Sequence, residues 1–265
     1  MSTPDPGLFI TKGMKVSVPK FSLSINEKGE ISSQMTLHTG IDMCPYWVEI
    51  AYAHLRKTED VHKQLMSAIN DNNESFIGDL LQNEFTSGMQ AIMAGCIAID
   101  SYYASIKDFA RIPEDLAKTW KEKRTARYKQ IAETLKRTFV IPQDIFLKIR
   151  DILKQSFDLR DMAVHPKYGT DQPVLYPEIN KITDWRYSTF RYANAKAIVG
   201  HALSIIYQTA RQKQDTNKQE LKIYCENLVK QLDPTLSKWE GNFGKLFQQK
   251  ESNQALAADA KGPRG

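Results

Sequence analysis

The apolar positions of this chain follow two periods, and the change between them falls near residue 45. Val16 and Val18, then Phe21, Leu23 and Ile25, alternate with polar residues. That is the period of a half-exposed strand. Asn26, Glu27, Lys28 and Gly29 form a turn signal, and Ile31 to Leu37 can return as the partner strand. Residues 1–45 are therefore predicted to form a small β-rich appendage. It carries His38 but no cluster of reactive side chains.

From Tyr46 onward the spacing is helical. Phe85, Met89, Ile92, Cys96, Ile99, Tyr103 and Ile106 recur at alternating intervals of four and three, one continuous apolar stripe. Gly88, Ala91, Gly95 and Ala98 run beside it, small enough for another helix to approach closely. Cys96, inside the stripe, reads as a buried thiol rather than a nucleophile.

Other helices are predicted from Tyr46 to about Asn70 and from about Pro113 to Phe139. The second carries Trp120, Tyr128, Ile131, Leu135 and Phe139 on its apolar side. A further helix starts at Pro142, a residue favoured at the first helical position. It continues through Ile145, Ile149, Ile152 and Leu159 to Val164. After a long connection, 167–183, another runs from near Asp184 to about Lys213. Leu221, Cys225, Leu228 and Leu232 mark one more. Asp233 and Pro234 then read as the cap and first turn of a last helix with Leu236, Trp239, Phe243 and Leu246. Glu251 to Gly265 is small and polar, and is expected to be disordered.

The fold class expected is mainly α: a helical domain over 46–248, a β-hairpin appendage over 1–45, and a tail over 249–265. Three widely spaced cysteines, Cys44, Cys96 and Cys225, make neither a disulfide framework nor a C-x-x-C pair. The first residues lack the basic and apolar regions of a signal peptide, and no apolar run approaches the ~20 residues of a membrane span. A cytoplasmic setting without membrane attachment is the expectation. Familiar signatures for zinc proteases, P-loops, nucleophile elbows and dinucleotide sites are missing. No cluster has metal-ligand spacing, so neither a metal nor a cofactor is expected.

Candidate chemistry concentrates in one segment, which includes Phe157, Arg160, Asp161, His165 and Pro166. Pro166 pushes the preceding residue away from helical backbone, so the helix must end at or just before His165. The imidazole then stands at a helix C-terminus, where the dipole favours a protonated ring. Asp161, one turn upstream, is close enough to orient that ring or hold its charge. Arg160 continues the line of Phe146, Leu153 and Phe157 and so borders the apolar stripe. Asp161 follows the polar line of Arg150, Lys154 and Asp158. A guanidinium at the edge of a core, beside a histidine at a helix end, suits an anionic group. The plainer role is a structural one, with His165 ending the helix and Arg160 in an ion pair. Arg56 and His62 have a similar spacing, but they fall mid-helix with no terminator after the histidine.

An arginine followed by a polar residue, with four to six residues before a histidine at a helix end, resembles the motif of the HEPN superfamily. Arg160, Asp161 and His165 match it, and the Ala91 to Tyr103 stretch looks like that family's earlier long helix. The resemblance spans roughly residues 46–210. It implies an HEPN-like helical bundle that forms a homodimer along the motif helices, and many relatives are metal-independent endoribonucleases. Cleavage by a ribose 2′-OH needs a base, an acid for the leaving oxygen and a cation for the phosphorane charge. His165 can serve either proton-transfer role, and Arg160 is the charge stabiliser. A two-fold dimer would supply the second histidine.

Net charge adds a docking candidate. The chain has 36 Lys and Arg against 31 Asp and Glu, a formal +5, too little to name a partner. Within 118–137, however, eight cations face only Glu122 and Glu133. Such a stretch can follow a phosphate backbone or be a solvated face. Lys121, Arg124 and Arg127, with Lys167 next to the motif, are the candidate RNA-binding residues. Trp185, Arg186, Tyr187, Phe190, Arg191 and Tyr192 interleave aromatic and basic side chains, but at helical spacing Trp185 and Phe190 are expected in the core. The long connection 167–183 is a candidate border of the site. Two functions remain in view. One is an RNA-cleaving dimer, for which the family resemblance alone implies a role in growth arrest or defence, with an antitoxin or regulator as a further partner. The other is a non-catalytic helical module that binds a protein, a nucleotide or RNA.

Overall fold

Residues 8–11, 13–71, 74–165, 172–212 and 219–246 are described in the computed structural model. Lys167, Pro166 and the tail 249–265 lie outside the described residues. The alternating segments form an antiparallel hairpin, β1 (Met14–Ile25) and β2 (Ile31–Ile41). Asn26 closes it: its side-chain carbonyl accepts from the backbone N–H groups of Lys28 and Glu30, and Gly29 supplies the positive φ of the turn.

Among the described residues, eight α-helices follow: α1 (Met43–Asn70), α2 (Glu74–Ile106), α3 (Glu114–Glu122), α4 (Arg127–Thr138), α5 (Gln143–Val164), α6 (Trp185–Thr189), α7 (Tyr192–Arg211) and α8 (Gln219–Phe243). Asp42 caps α1 by accepting from the Cys44 N–H. The 33 residues of α2 make a rod of about 50 Å against which the other helices are placed. α1 runs antiparallel to it, so that Thr58 lies near Gly88 and His62 pairs with Glu84. α7 runs along a second side, with Tyr102 hydrogen-bonded to Thr209 at 2.9 Å. α5 occupies a third side, where the Cys96 thiol donates to the Ser156 carbonyl at 3.2 Å. The predicted stripe is the centre of the main core: Ile92, Cys96, Ile99 and Ile106 are almost wholly buried.

The small-residue stripe does what its size predicts. A β-carbon on Gly88 would overlap the carbonyl oxygen of Phe190, whereas one on Gly95 would only reach ordinary contact, 3.8 Å from Ile198, Val199 and Ala202. Gly88→Ala is expected to destabilise the fold by about 1–3 kcal/mol, the cost of overpacking against backbone. Gly95→Ala should be neutral or stabilising, since alanine is the better helix former by about 1 kcal/mol. Urea denaturation of the two variants checks the contrast.

Three boundaries differ from expectation. The predicted helix over 113–139 is two helices, α3 and α4, separated at Arg124, whose φ is +47°. The predicted helix from Asp184 is also two, α6 and α7. Asp184 caps α6 by accepting from the Arg186 N–H, and the chain turns at Phe190, which is buried in the core. Pro234 does not start a helix but lies inside α8. Asp233 is held there by the Tyr207 hydroxyl at 2.7 Å, and Leu232, Leu236 and Trp239 on either side are buried. Their packing offsets the backbone hydrogen bond that proline removes. Part of the long connection is ordered as a second small hairpin, β3 (Val174–Tyr176) and β4 (Lys181–Thr183).

Candidate functional site

α5 ends where the His165–Pro166 pair requires. His165 is its C-cap, with φ −125° and ψ 58°, and its N–H donates to the Asp161 carbonyl at 2.9 Å. The imidazole is exposed at the end of a 22-residue helix, where orphan carbonyls concentrate negative potential. One turn earlier the guanidinium of Arg160 lies 4.5 Å from the ring of Phe157, its side chain 25% exposed. Its Nε and Nη2 donate to one oxygen of Asp161 at 3.0 and 2.8 Å. The Asp161 carboxylate is thus engaged with Arg160, and among the described residues none holds the imidazole by a hydrogen bond.

The partner that sequence reasoning missed is Asp100 on α2. Its Oδ2 is 3.7 Å from Arg160 Nη1, and its Oδ1 accepts from Arg127 Nε at 2.6 Å. Arg127, the first residue of α4, lies 4.1 Å from the ring of Tyr103. Arg127, Asp100, Arg160 and Asp161 therefore form a row of alternating charge in which both guanidiniums are also backed by aromatic rings. The signal was present: between residues 85 and 106, Asp100 is the only charged side chain. Cys96, one turn before it, is buried, and burial pushes its thiol up to about 12 against the opposing pull of Arg160. It is not positioned as a nucleophile.

Beside this row, α3, α4 and α5 enclose a groove of about 780 Å³. Trp120, Tyr128 and Phe146 supply aromatic walls, and Lys129, Arg137, Arg150 and Lys154 supply cations against Glu133 and Asp151. Tyr128 follows Arg127 directly, and Lys154 precedes Arg160 by six residues, about 9 Å along α5. The basic stretch is thus divided by role. Arg127 turns inward to Asp100, Lys121 and Arg124 are exposed near the α3–α4 turn, and Lys129 and Arg137 line the groove. The last of these cations is shared with Glu133, 2.7 Å away.

The other candidates are placed elsewhere. Phe190 is buried and Trp185 packs against the same core, as their spacing predicts. Arg56 pairs with Glu59, whereas His62 turns to Glu84, so the second Arg/His spacing does not converge. The described part of the long connection is anchored by Tyr176 on Glu84, sixteen residues before Asp100 and about 24 Å from it along α2. His201 is half-buried, and burial lowers its pKa, which leaves it neutral near pH 7. Among the described residues, no three of His, Cys, Asp and Glu gather as a metal site, and no helix is long and apolar enough to cross a membrane. No family model, curated protein or solved structure matches the chain.

Proposed function

We propose that the chain is an HEPN-like endoribonuclease that cleaves RNA by attack of a ribose 2′-OH on the adjacent phosphate. The observation that carries the reading is the end of α5. There a histidine ends the helix and an arginine stands five residues before it, on the same helix whose earlier turns wall a groove with basic and aromatic sides. Arg160 donates from three nitrogens in a fixed plane, a geometry that matches the equatorial oxygens of a phosphorane. Asp161 is exposed and lies on the same helix, so an incoming phosphate can take over its bonds at little cost. Asp100 faces Nη1, the nitrogen that Asp161 does not engage, and so holds the guanidinium from α2. The unpaired bases of a single strand can stack on Trp120 and Tyr128 while Lys129 and Arg150 meet its phosphates.

One motif offers one histidine, and the reaction needs a base and an acid. A second copy, joined along α5, would bring its own His165 to the same phosphodiester, so that each copy supplies half of the proton transfers. Products would carry a 2′,3′-cyclic phosphate and a 5′-hydroxyl. A toxin or defence role, with an antitoxin as regulator, belongs to the family resemblance and is proposed on that ground alone. A cytoplasmic location is proposed with it.

A second reading has one observation in its favour. Arg160 is already paired with Asp100 and Asp161, which is what a structural arginine in a non-catalytic binding module would also do. One experiment separates the two. A mixed RNA pool is incubated with wild type and His165→Ala in excess EDTA, and the product ends are identified. Cleavage by wild type to cyclic-phosphate ends, lost in the variant, supports the nuclease. Equal cleavage by both removes His165 from the mechanism. No cleavage by either, with RNA still bound, makes the chain a binding module.

A further inference from the structure

The N-terminal hairpin is amphipathic across its whole length, and a bulge keeps it so. In β1 the apolar residues first occupy even positions, Met14, Val16 and Val18, and then odd ones, Phe21, Leu23 and Ile25. A change of parity would move the second set to the opposite face. The register prevents this: Ser17 faces His38 and Lys20 faces Thr36, so Val18 and Pro19 together oppose Leu37. The extra residue is a β-bulge that restores the phase. β2 needs none, because Ile31, Met35, Leu37 and Ile41 are all odd. The hairpin thus presents one apolar face without a charged residue. Its other face carries Lys15, Ser17, Lys20, Ser22, Ser24, Gln34, Thr36 and His38.

That apolar face is uncovered. Its nine large side chains, Val16 to Ile41, are each 40–68% exposed. Among the described residues, the base of the hairpin rests on the helices, where Lys15 lies 5.3 Å from the ring of Tyr224 and Ile41 lines a cavity with Ser105 and Phe109. An isolated two-stranded hairpin is marginal in water, and a monomer seldom exposes an apolar patch beyond a few hundred Å². The exposed fractions sum to roughly 900 Å², about what one partner contributes to a stable interface.

We infer that this face packs against the same face of a second copy of the chain, forming a two-layer, four-stranded contact about a two-fold axis. Three features favour an identical partner. The face has no charge, so a copy of it can be met without desolvating an ion. Its area reaches the size of a stable dimer interface without help from elsewhere. Its apolar residues also run from tip (Ile25, Ile31) through middle (Phe21, Met35) to base (Ile41), so a two-fold mate has apolar surface along the whole arm. The contact is separate from α5 and does not rest on the ribonuclease reading.

Single cysteines test it on the full chain, because Cys44, Cys96 and Cys225 are all buried. Phe21→Cys, Leu23→Cys and Met35→Cys probe the apolar face, and Ser22→Cys and Gln34→Cys probe the polar face, each with a short bis-maleimide. The expected result is a covalent dimer from apolar-face positions, absent from polar-face positions and lost when Ile31→Lys is added. Far-UV circular dichroism confirms that the helices persist in each variant. Absence of an apolar-face cross-link overturns the inference, and so does equal cross-linking from both faces. Flotation of the chain with phosphatidylcholine vesicles in place of a cross-link would assign the face to lipid instead. RNA cleavage is scored separately, so failure of the nuclease leaves this result standing, and the reverse.

Discussion

Arg160→Ala is expected to lower the rate of RNA cleavage by about 10²–10³-fold, the usual cost of removing one donor aimed at developing transition-state charge. RNA affinity should change by no more than about three-fold, since one phosphate contact among several is a small share of an electrostatic interface. The split follows from the site. Lys129, Arg150 and Lys154 line the groove, where the proposed function has them meet the ground-state backbone. Arg160 stands beyond them, where charge would grow during reaction. Arg160→Lys keeps the charge but loses the planar fork that donates through Nε and Nη2, so an intermediate rate is expected. Asp100→Asn is a further probe. It leaves Arg127 and Arg160 facing each other without the intervening anion, and should lower the rate without touching the RNA. Single-turnover cleavage and fluorescence-polarisation binding, measured on the same preparations, check the split. Equal losses in rate and affinity would make Arg160 a docking residue. No loss in either would return it to the structural role that its two carboxylates also allow.

How much of this was legible depends on whether the deciding interaction is local. The end of α5 was readable because the constraint is one residue long: proline follows His165. The hairpin was readable because Asn26 and Gly29 make their turn from their own backbone and side chains. The break between α3 and α4 was not, because Arg124 adopts a positive φ with no glycine to announce it, and the basic pattern continues across the turn. Pro234 misled for the opposite reason. It carries a strong local signal, but Leu232, Leu236 and Trp239 are buried on both sides of it, and tertiary packing outweighs the missing hydrogen bond. The site was half legible. Arg160 and His165 lie on one helix, five residues apart. Asp100 and Arg127 reach them only through the packing of α2 and α4 against α5, and a lone acid in an apolar helix was the one trace of it.

The largest stability effect is expected at a residue far from that site. Glu84 is 1% exposed. Its Oε1 accepts the Tyr192 N–H at 2.8 Å and lies 3.0 Å from His62 Nδ1, while its Oε2 accepts the Tyr176 hydroxyl at 2.8 Å. Tyr192 is the first residue of α7, so the carboxylate meets one of the helix's orphan N–H groups and its positive dipole end. His62 also stacks on the Tyr192 ring, with centroids 5.1 Å apart. One side chain on α2 thereby ties together α1, α7 and the β3–β4 hairpin. Burial, with Glu84 beside it, pushes the Tyr176 hydroxyl up, so it stays a donor at any physiological pH. Glu84→Ala removes the partner of one buried hydroxyl and two part-buried nitrogens at once and should cost about 3–5 kcal/mol, as removal of one partner from a buried network does. Tyr176→Phe removes a single bond to a carboxylate and should cost about 1.5–3 kcal/mol. Glu84→Gln keeps the volume but turns an amide N–H₂ toward one of the donors, and should fall between them. Urea midpoints should drop in that order with unchanged slopes. Because Glu84 stands about 24 Å along α2 from Asp100, cleavage per folded molecule should be unaltered in all three. A fall in that rate at full folding would mean that the β3–β4 anchor also holds the end of α5 in place.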